Sequence, residues 1–211
     1  MQNTLKYSLL LKYILLLLLF QVVWASANSQ LFIGIKQGAN FCQMSYKNSE
    51  NKIMPEKKIS LNSGIRVVYK YNNYFSLSTE VSYSGKGAKF TYENKNISEL
   101  SIEYFEMPFL LNFKLPITPL YLYTGSFFAI VSNANNTLTS NTGITKERLT
   151  SKTLSGFDYG IIAGTGIIFG DRNIKFFADY SISIGVTDIM KTNAIYKTKT
   201  STIMAGILFK L

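Results

Sequence analysis

The sequence predicts an all-β fold, namely an eight-stranded antiparallel up-and-down transmembrane β-barrel with long outward loops and short periplasmic turns. Eight stretches of about ten residues alternate apolar with polar side chains, which is the period of a strand with two different faces. The linkers between them alternate in length, as expected for a chain that crosses a membrane repeatedly. After the N-terminal segment, no apolar run is long enough for a membrane helix.

The first 27 residues have the features of a secretory signal peptide. Lys6 and Lys12 precede an apolar core from Tyr13 to Val23, and Ala25-Ser26-Ala27 is a cleavage site of small residues. An N-terminal membrane anchor is the alternative, for which the apolar core is short. We therefore expect Sec-dependent export, signal-peptide cleavage and a place in the bacterial outer membrane.

The remainder, residues 28–211, is assigned to one barrel domain. Its first four predicted strands are Leu31–Phe41, Leu61–Tyr71, Phe75–Gly85 and Ile102–Leu115. The third has the most regular alternation, because its apolar and aromatic residues are separated by serines and Glu80.

The second half of the domain supplies four more strands. They are Leu120–Val131, Phe157–Phe169, Ile174–Gly185 and Thr200–Leu211. The fifth strand has apolar residues at both parities, so its facing is ambiguous. The polar, low-complexity stretch Ser132–Thr142 is predicted to be a solvated loop on the long-linker side.

The polar faces of these strands carry a set of charged residues. Such groups are costly in hydrocarbon and normal in a narrow polar lumen. The predicted lumen cluster consists of Lys36, Arg66, Glu80, Glu106, Asp158, Lys175 and Asp179. Aromatic residues near strand ends predict an interfacial girdle of Tyr69, Tyr71, Tyr83, Phe169 and Phe209. A lipocalin-like soluble barrel is the alternative, but it does not explain these outward aromatic residues.

Two short turns predict strand register. A three-residue turn at Asn72-Asn73-Tyr74 would place Arg66 opposite Glu80 in the lumen. A two-residue turn at Asp171-Arg172 would place Gly166 opposite Phe177 and Gly164 opposite Asp179. Glycines in curved sheets leave room for a neighbouring aromatic ring.

The chain contains no histidine, which excludes Ser-His-Asp and Cys-His catalysis and histidine-ligated metals. Cys42 is the only cysteine, so no intrachain disulfide can form. Glu80 and Glu106 are the best candidates for a pair of catalytic carboxylates, but lumen packing beside Arg66 is the simpler interpretation. We therefore predict no enzyme activity and no catalytic, cofactor or metal site.

The formal charge of the chain is +10, and loss of Lys6 and Lys12 with a leader that has no acidic residue leaves 10 − 2 = +8. For an exported protein, an anionic lipid or lipopolysaccharide surface is a more natural partner than nucleic acid. Solubility provided by loop lysines is an equally good explanation of the surplus.

Several segments resemble the PorT-like outer-membrane β-barrel family over nearly all of the exported chain. They are Gly34–Phe41, Glu80–Ala88, Tyr104–Leu111, Asp158–Gly160 with Gly164 and Gly166, and Tyr180-Ser181 with Gly185–Ile189. The resemblance implies an eight-stranded barrel inserted by the barrel assembly machinery. The namesake of this family works in a secretion system.

These observations predict a non-enzymatic outer-membrane protein with a side-chain-filled lumen. Its binding or structural role would lie in the long loops. The alternatives are a component of a secretion or envelope-assembly system, which would act through envelope or secretion proteins, and a narrow pore.

Overall fold

The computed structural model describes residues 30–47, 56–91, 97–140, 143–149, 153–189 and 195–211. The predicted signal peptide lies outside these residues. The strands are β1 Gln30–Lys47, β2 Lys58–Lys70, β3 Phe75–Thr91, β4 Ile97–Lys114, β5 Leu120–Ser140, β6 Gly143–Arg148, β7 Phe157–Gly170, β8 Ile174–Gly185 and β9 Ile195–Lys210. Within this described part, no helix is long and apolar enough to cross a membrane.

Eight of the strands form a closed antiparallel barrel. Neighbours in sequence pair with each other, β1 pairs with β9, and β5 pairs with both β4 and β7, which completes the ring. The ninth strand, β6, pairs with the upper part of β5 outside this ring. The predicted fold class is therefore confirmed.

The two ends of the barrel differ in how well the sequence predicts the strands. At the end with the turns at residues 71–74, 115–119 and 171–173, hereafter the short-turn end, every predicted strand limit agrees within one residue. At the opposite, long-loop end, all strands but β7 and β8 continue three to nine residues beyond the prediction. Backbone hydrogen bonding continues there after the apolar alternation has stopped.

The polar stretch after Val131 shows this difference most clearly. The predicted solvated loop Ser132–Thr142 is wrong over Ser132–Ser140, because this segment completes β5. It pairs with β4 on one edge and with β6 on the other. The predicted strand ended where the apolar pattern gives way to asparagine and threonine. These side chains do not prevent backbone hydrogen bonding to the neighbouring strands.

The barrel is apolar outside and polar inside. The outer surface exposes residues such as Ile35, Leu61 and Ile161, each more than 60 % accessible. The interior buries Asn40, Ser84 and many further polar or charged groups. This is the arrangement of a membrane barrel and the reverse of a lipocalin-like soluble barrel.

The structure shows which side of β5 faces the lumen. Tyr121, Tyr123 and Phe127 are buried in the lumen, whereas Leu122 and Phe128 are exposed on the outer surface. The lumen-facing side of β5 therefore carries aromatic rings in addition to those of Phe32 and Phe177 from other strands.

One predicted register is correct and the other is wrong. Arg66 lies opposite Glu80, as the turn after β2 predicted. Gly166 lies opposite Asp179 rather than Phe177, because Gly170 pairs with Lys175 and the turn is two residues longer than predicted. The prediction that placed Gly164 opposite Asp179 fails for the same reason, since Gly164 pairs with Ser181 on β8.

The glycines nevertheless make room for rings, with partners other than the predicted one. Gly164 lies opposite Tyr123 and Gly166 opposite Tyr121 in the pairing of β5 with β7. A methyl group added to Gly164 would lie 2.4 Å from the ring of Tyr123. Phe177 similarly covers Gly206 on β9. The far ends of these lumenal rings therefore lie over glycine positions of the neighbouring strand.

Candidate functional site

The centre of the lumen holds a buried ion-pair network around Arg66. Its Nε donates to Oε1 of Glu80 at 2.5 Å, and its Nη2 donates to Oδ2 of Asp179 at 2.6 Å. Lys36 donates to the second oxygen of Glu80, and the hydroxyl of Tyr121 donates to Oδ1 of Asp179 at 2.9 Å. Two cations thus balance two carboxylates.

This network spans the lumen. Arg66 is on β2 and Asp179 is on β8, and β1 and β9 lie between these strands in the barrel wall. The guanidinium also lies 4.2 Å from the ring centroid of Phe177. All four charged groups are less than 5 % exposed. Multiple charge-assisted hydrogen bonds hold these side chains in place inside the lumen.

A polar layer lies next to this network on the long-loop side. The side-chain amide of Asn40 donates to Oγ of Ser84 and to the carbonyl of Gly85, both at 2.9 Å. The hydroxyl of Thr202 donates to Oδ1 of Asn40 at 2.8 Å. Side chains of β1, β3 and β9 therefore satisfy one another across the interior.

A second charged group lies farther towards the long-loop end. Nζ of Lys86 is 2.5 Å from Oε2 of Glu106 and 4.2 Å from the ring centroid of Phe127. Asp158 accepts a hydrogen bond from the hydroxyl of Thr198 at 2.8 Å. All three charged groups are buried.

Apolar side chains fill the lumen beyond this group. They include Met44, Leu100 and Ile102 from the barrel strands, and Leu154 and Ile189 from segments at the long-loop end. Each of these five residues is at most 3 % exposed. The long-loop half of the lumen is therefore packed like a protein core.

The predicted lumen cluster is divided into separate groups. Lys36, Arg66, Glu80 and Asp179 form the central network, and Glu106 and Asp158 lie near Lys86. Glu80 and Glu106 belong to different ion-pair groups, so they do not form a carboxylate pair. Lys175 is half-buried at the short-turn end, where it donates to the carbonyl of Asp171 at 3.1 Å.

The residues of the predicted girdle are all exposed on the outer surface, between 36 % and 55 %. Tyr69, Tyr71, Phe169 and Phe209 lie near the short-turn end, where the ring of Phe169 stacks on that of Phe176 at 5.7 Å. Tyr83 lies farther along β3, with its ring 5.7 Å from that of Phe105. Their contact with the membrane interface stays a prediction.

A feature that the sequence analysis missed lies at the short-turn end. A cavity of about 140 Å³ opens there between Arg66 and the turns. Lys70, Lys114 and Lys175 line it together with several apolar side chains. Each lysine is the inward-facing residue nearest the end of its strand, and this parity was the signal that could have identified the set.

The described residues contain no group of three or more histidine, cysteine or acidic side chains that could hold a metal ion. Cys42 is buried in the wall, 1 % exposed, with its Sγ 3.5 Å from the carbonyl oxygen of Gly85.

Sequence comparison agrees with this architecture. Residues 21–191 match the family model described as outer membrane protein beta-barrel domain. The chain belongs to this family. Membership supports a location in the bacterial outer membrane, while the narrower PorT-like assignment stays a prediction. No curated protein sequence matches the chain significantly.

Several solved barrels are similar to the chain. The attachment invasion locus protein Ail of Yersinia pestis is 14 % identical, with coverage of 86 % of this chain and 99 % of that chain and a TM-score of 0.44. OprG from Pseudomonas aeruginosa is 11 % identical, with coverage of 86 % and 96 % and a TM-score of 0.49. Neisserial surface protein A is 11 % identical, with coverage of 85 % and 97 % and a TM-score of 0.44.

Proposed function

We propose that this protein is a non-enzymatic outer-membrane barrel with a closed lumen, whose binding or structural role is carried by segments at its long-loop end. The observation that carries the proposal is the buried network joining Arg66 to Glu80 and Asp179 across the lumen. A solute crossing the barrel would have to break these ion pairs. The packed apolar layer beyond them closes the lumen a second time.

The best candidate for the binding surface is β6 together with the long-loop ends of β4 and β5. All six residues of β6 are exposed, and Ile144 is 74 % accessible. β6 ends the strand order of the described sheet, so one of its edges is available for pairing. Lys146 and Arg148 outnumber Glu147 on this strand, and the remaining positive charge suits lipopolysaccharide or an acidic envelope protein.

Conductance tests the closed lumen and separates this function from a narrow pore. The purified barrel in planar bilayers is expected to give no stepwise single-channel currents. The Arg66→Ala variant, folded as judged by heat-modifiable electrophoretic mobility, would still be closed by the apolar layer. Reproducible unitary currents from the unmodified protein would replace the proposal with the pore.

Cysteine labelling on intact cells tests the orientation. Lys146→Cys is expected to react with a membrane-impermeant maleimide, whereas Asn73→Cys at the short-turn end is not. The natural Cys42 serves as an internal control because it is buried in the folded barrel. Labelling at position 73 but not at position 146 would show that the barrel has the opposite orientation.

Photocrosslinking tests the partner and the secretion alternative. A photoreactive residue at position 146 is expected to crosslink to lipopolysaccharide or to an envelope protein, with position 73 as the matched control. Crosslinks to secretion or envelope-assembly proteins from position 73 alone would favour the PorT-like role instead.

A further inference from the structure

The cavity at the short-turn end combines apolar walls with a charged rim. Its apolar lining includes Phe32, Val68, Ile168, Phe177 and Leu208, which come from five different strands. A pocket of this kind, mostly apolar with a few placed charged groups, is typical of a small-molecule site. The volume of about 140 Å³ is close to the ~150 Å³ of an engineered cavity that holds benzene.

The rim is formed by lysines without carboxylate partners. Among the described residues, no carboxylate lies within ion-pair distance of Lys70, Lys114, Lys175 or Lys210. Lys70 is close enough to Lys114 and Lys210 for their charges to repel one another, and Lys175 is similarly affected by Lys70 and Lys114. The carboxylate of Asp171 attracts Lys175 from the adjoining turn.

The positive charge is directed towards the cavity and not towards lipid. The alternation along β2 places Lys70 on the same face as the buried Arg66, and that along β8 places Lys175 on the same face as Asp179. Nζ of Lys175 lies 5.7 Å from the ring centroid of Phe32, inside the mouth. Arg66 at the inner end of the cavity is already neutralised by Glu80 and Asp179.

We propose that this mouth binds a small organic carboxylate carrying one apolar group of about the size of a benzene ring. The ring would occupy the space between Phe32, Val68 and Phe177, and the carboxylate would lie among the lysines. Binding would bury apolar surface and relieve the repulsion among the cations. A polyanion or inorganic phosphate would satisfy the rim but leave the apolar walls unused.

The proposal does not depend on the role of the long-loop end. It is tested with the unmodified barrel in nanodiscs of zwitterionic lipid, with 3-phenylpropionate as the probe and isothermal titration calorimetry as the measurement. The neutral analogue 3-phenylpropanol is expected to bind at least about tenfold more weakly. Raising sodium chloride from about 50 to about 500 mM is expected to weaken the acid and not the alcohol, because salt screens exposed charges.

Variants locate the site. Lys70→Gln combined with Lys175→Gln is expected to weaken the acid at least about tenfold. Lys89→Gln is the matched control, because Lys89 is an exposed lysine at the long-loop end, and it is expected to leave the affinity unchanged. Val68→Phe fills the apolar part of the cavity and is expected to reduce binding of acid and alcohol alike.

Several results would overturn the proposal. They are equal affinity for acid and alcohol, affinity of the acid that is insensitive to salt, and unchanged binding in the double lysine variant. Absence of heat at millimolar 3-phenylpropionate would also overturn it. Binding of a peptide with a free C-terminal phenylalanine, but not of 3-phenylpropionate, would assign the mouth to a polypeptide chain end instead.

Discussion

The lysines in the two halves of the lumen have different environments. In the long-loop half, Lys86 is buried beside Glu106, and Lys58 lies 2.9 Å from Oε1 of Glu99. At the short-turn mouth, Lys70 and Lys175 line a cavity and repel one another. The network of Arg66 separates the two regions. A lysine paired with a carboxylate contributes to the packing of the lumen. A lysine without a carboxylate partner beside an apolar cavity can instead contact a ligand.

The physical reason is the cost of burial. A charge removed from water must be neutralised and hydrogen-bonded, or it destabilises the fold by several kcal/mol. The side chains deep in the lumen meet this requirement within the chain. Lysines at the mouth keep their ammonium groups near water, so the fold can retain them without a partner at a small cost.

The largest effect is expected at the network that divides the two halves. Glu80→Gln removes the carboxylate shared by Lys36 and Arg66 and leaves buried positive charge behind. The free energy of unfolding is expected to fall by ~3–5 kcal/mol, measured by urea unfolding in lipid vesicles with circular dichroism. Glu147→Gln on the exposed β6 is the control. Equal stability of the two variants would show that the network does not hold the lumen together.

A matched pair of variants compares the two halves directly. Lys86→Met leaves the buried Glu106 without its cation and is expected to cost roughly 2–3 kcal/mol. Lys175→Met at the mouth removes a repelling charge and is expected to change stability by less than about 0.5 kcal/mol. The same unfolding assay measures both. Similar losses in the two variants would mean that the mouth lysines are structural after all.

A smaller effect is expected where rings pack on glycine. A methyl group at Gly164 would lie 2.4 Å from the ring of Tyr123, so Gly164→Ala must displace that ring. Overpacking of this kind costs roughly 1–3 kcal/mol. Gly156→Ala is the control, because nothing lies within 4 Å of its added methyl. A Gly164→Ala barrel as stable as the control would show that the ring can move freely.

The smallest effect is expected at the rim of the long-loop half. Lys89 and Glu56 lie 3.5 Å apart and are both exposed to solvent. Lys89→Gln is therefore expected to cost less than about 1 kcal/mol, and less still at high salt. A larger loss of stability would show that ion pairs also stabilise the solvent-exposed edge of the long-loop half.

The membrane-embedded part of the fold could be predicted closely because two solvents act on alternate residues. Lipid outside and a polar lumen inside impose a period of two, as along β3 from Phe75 to Tyr83. The short-turn limits and the Arg66–Glu80 register followed from this period. Beyond the apolar band both faces are polar, so the pattern carries no signal for the upper part of β5 or for β6.

The candidate site was harder to predict from the sequence than the strands were. Lys175 belongs to the predicted lumen cluster, whereas Lys70, Lys114 and Lys210 do not, although each follows the polar parity of its strand. Alternation along one strand does not show that lysines from different strands line one cavity. The length of the turn after Gly170 also decided which ring covers which glycine. Gly170 has a positive φ of 119°, a local conformation that the residues Asp171 and Arg172 did not indicate.

The sequence by itself determined the all-β class, the eight crossings, the short-turn limits and the charged lining of the lumen. These properties follow from the alternation of outward apolar and inward polar residues, which most of the strands show locally. The tertiary structure alone decided which charges are paired, which rings cover which glycines, and that Lys70, Lys114 and Lys175 line one cavity. These depend on closure of the barrel, which brings residues of β2 and β8 together across a lumen although more than a hundred positions separate Arg66 from Asp179 in the chain.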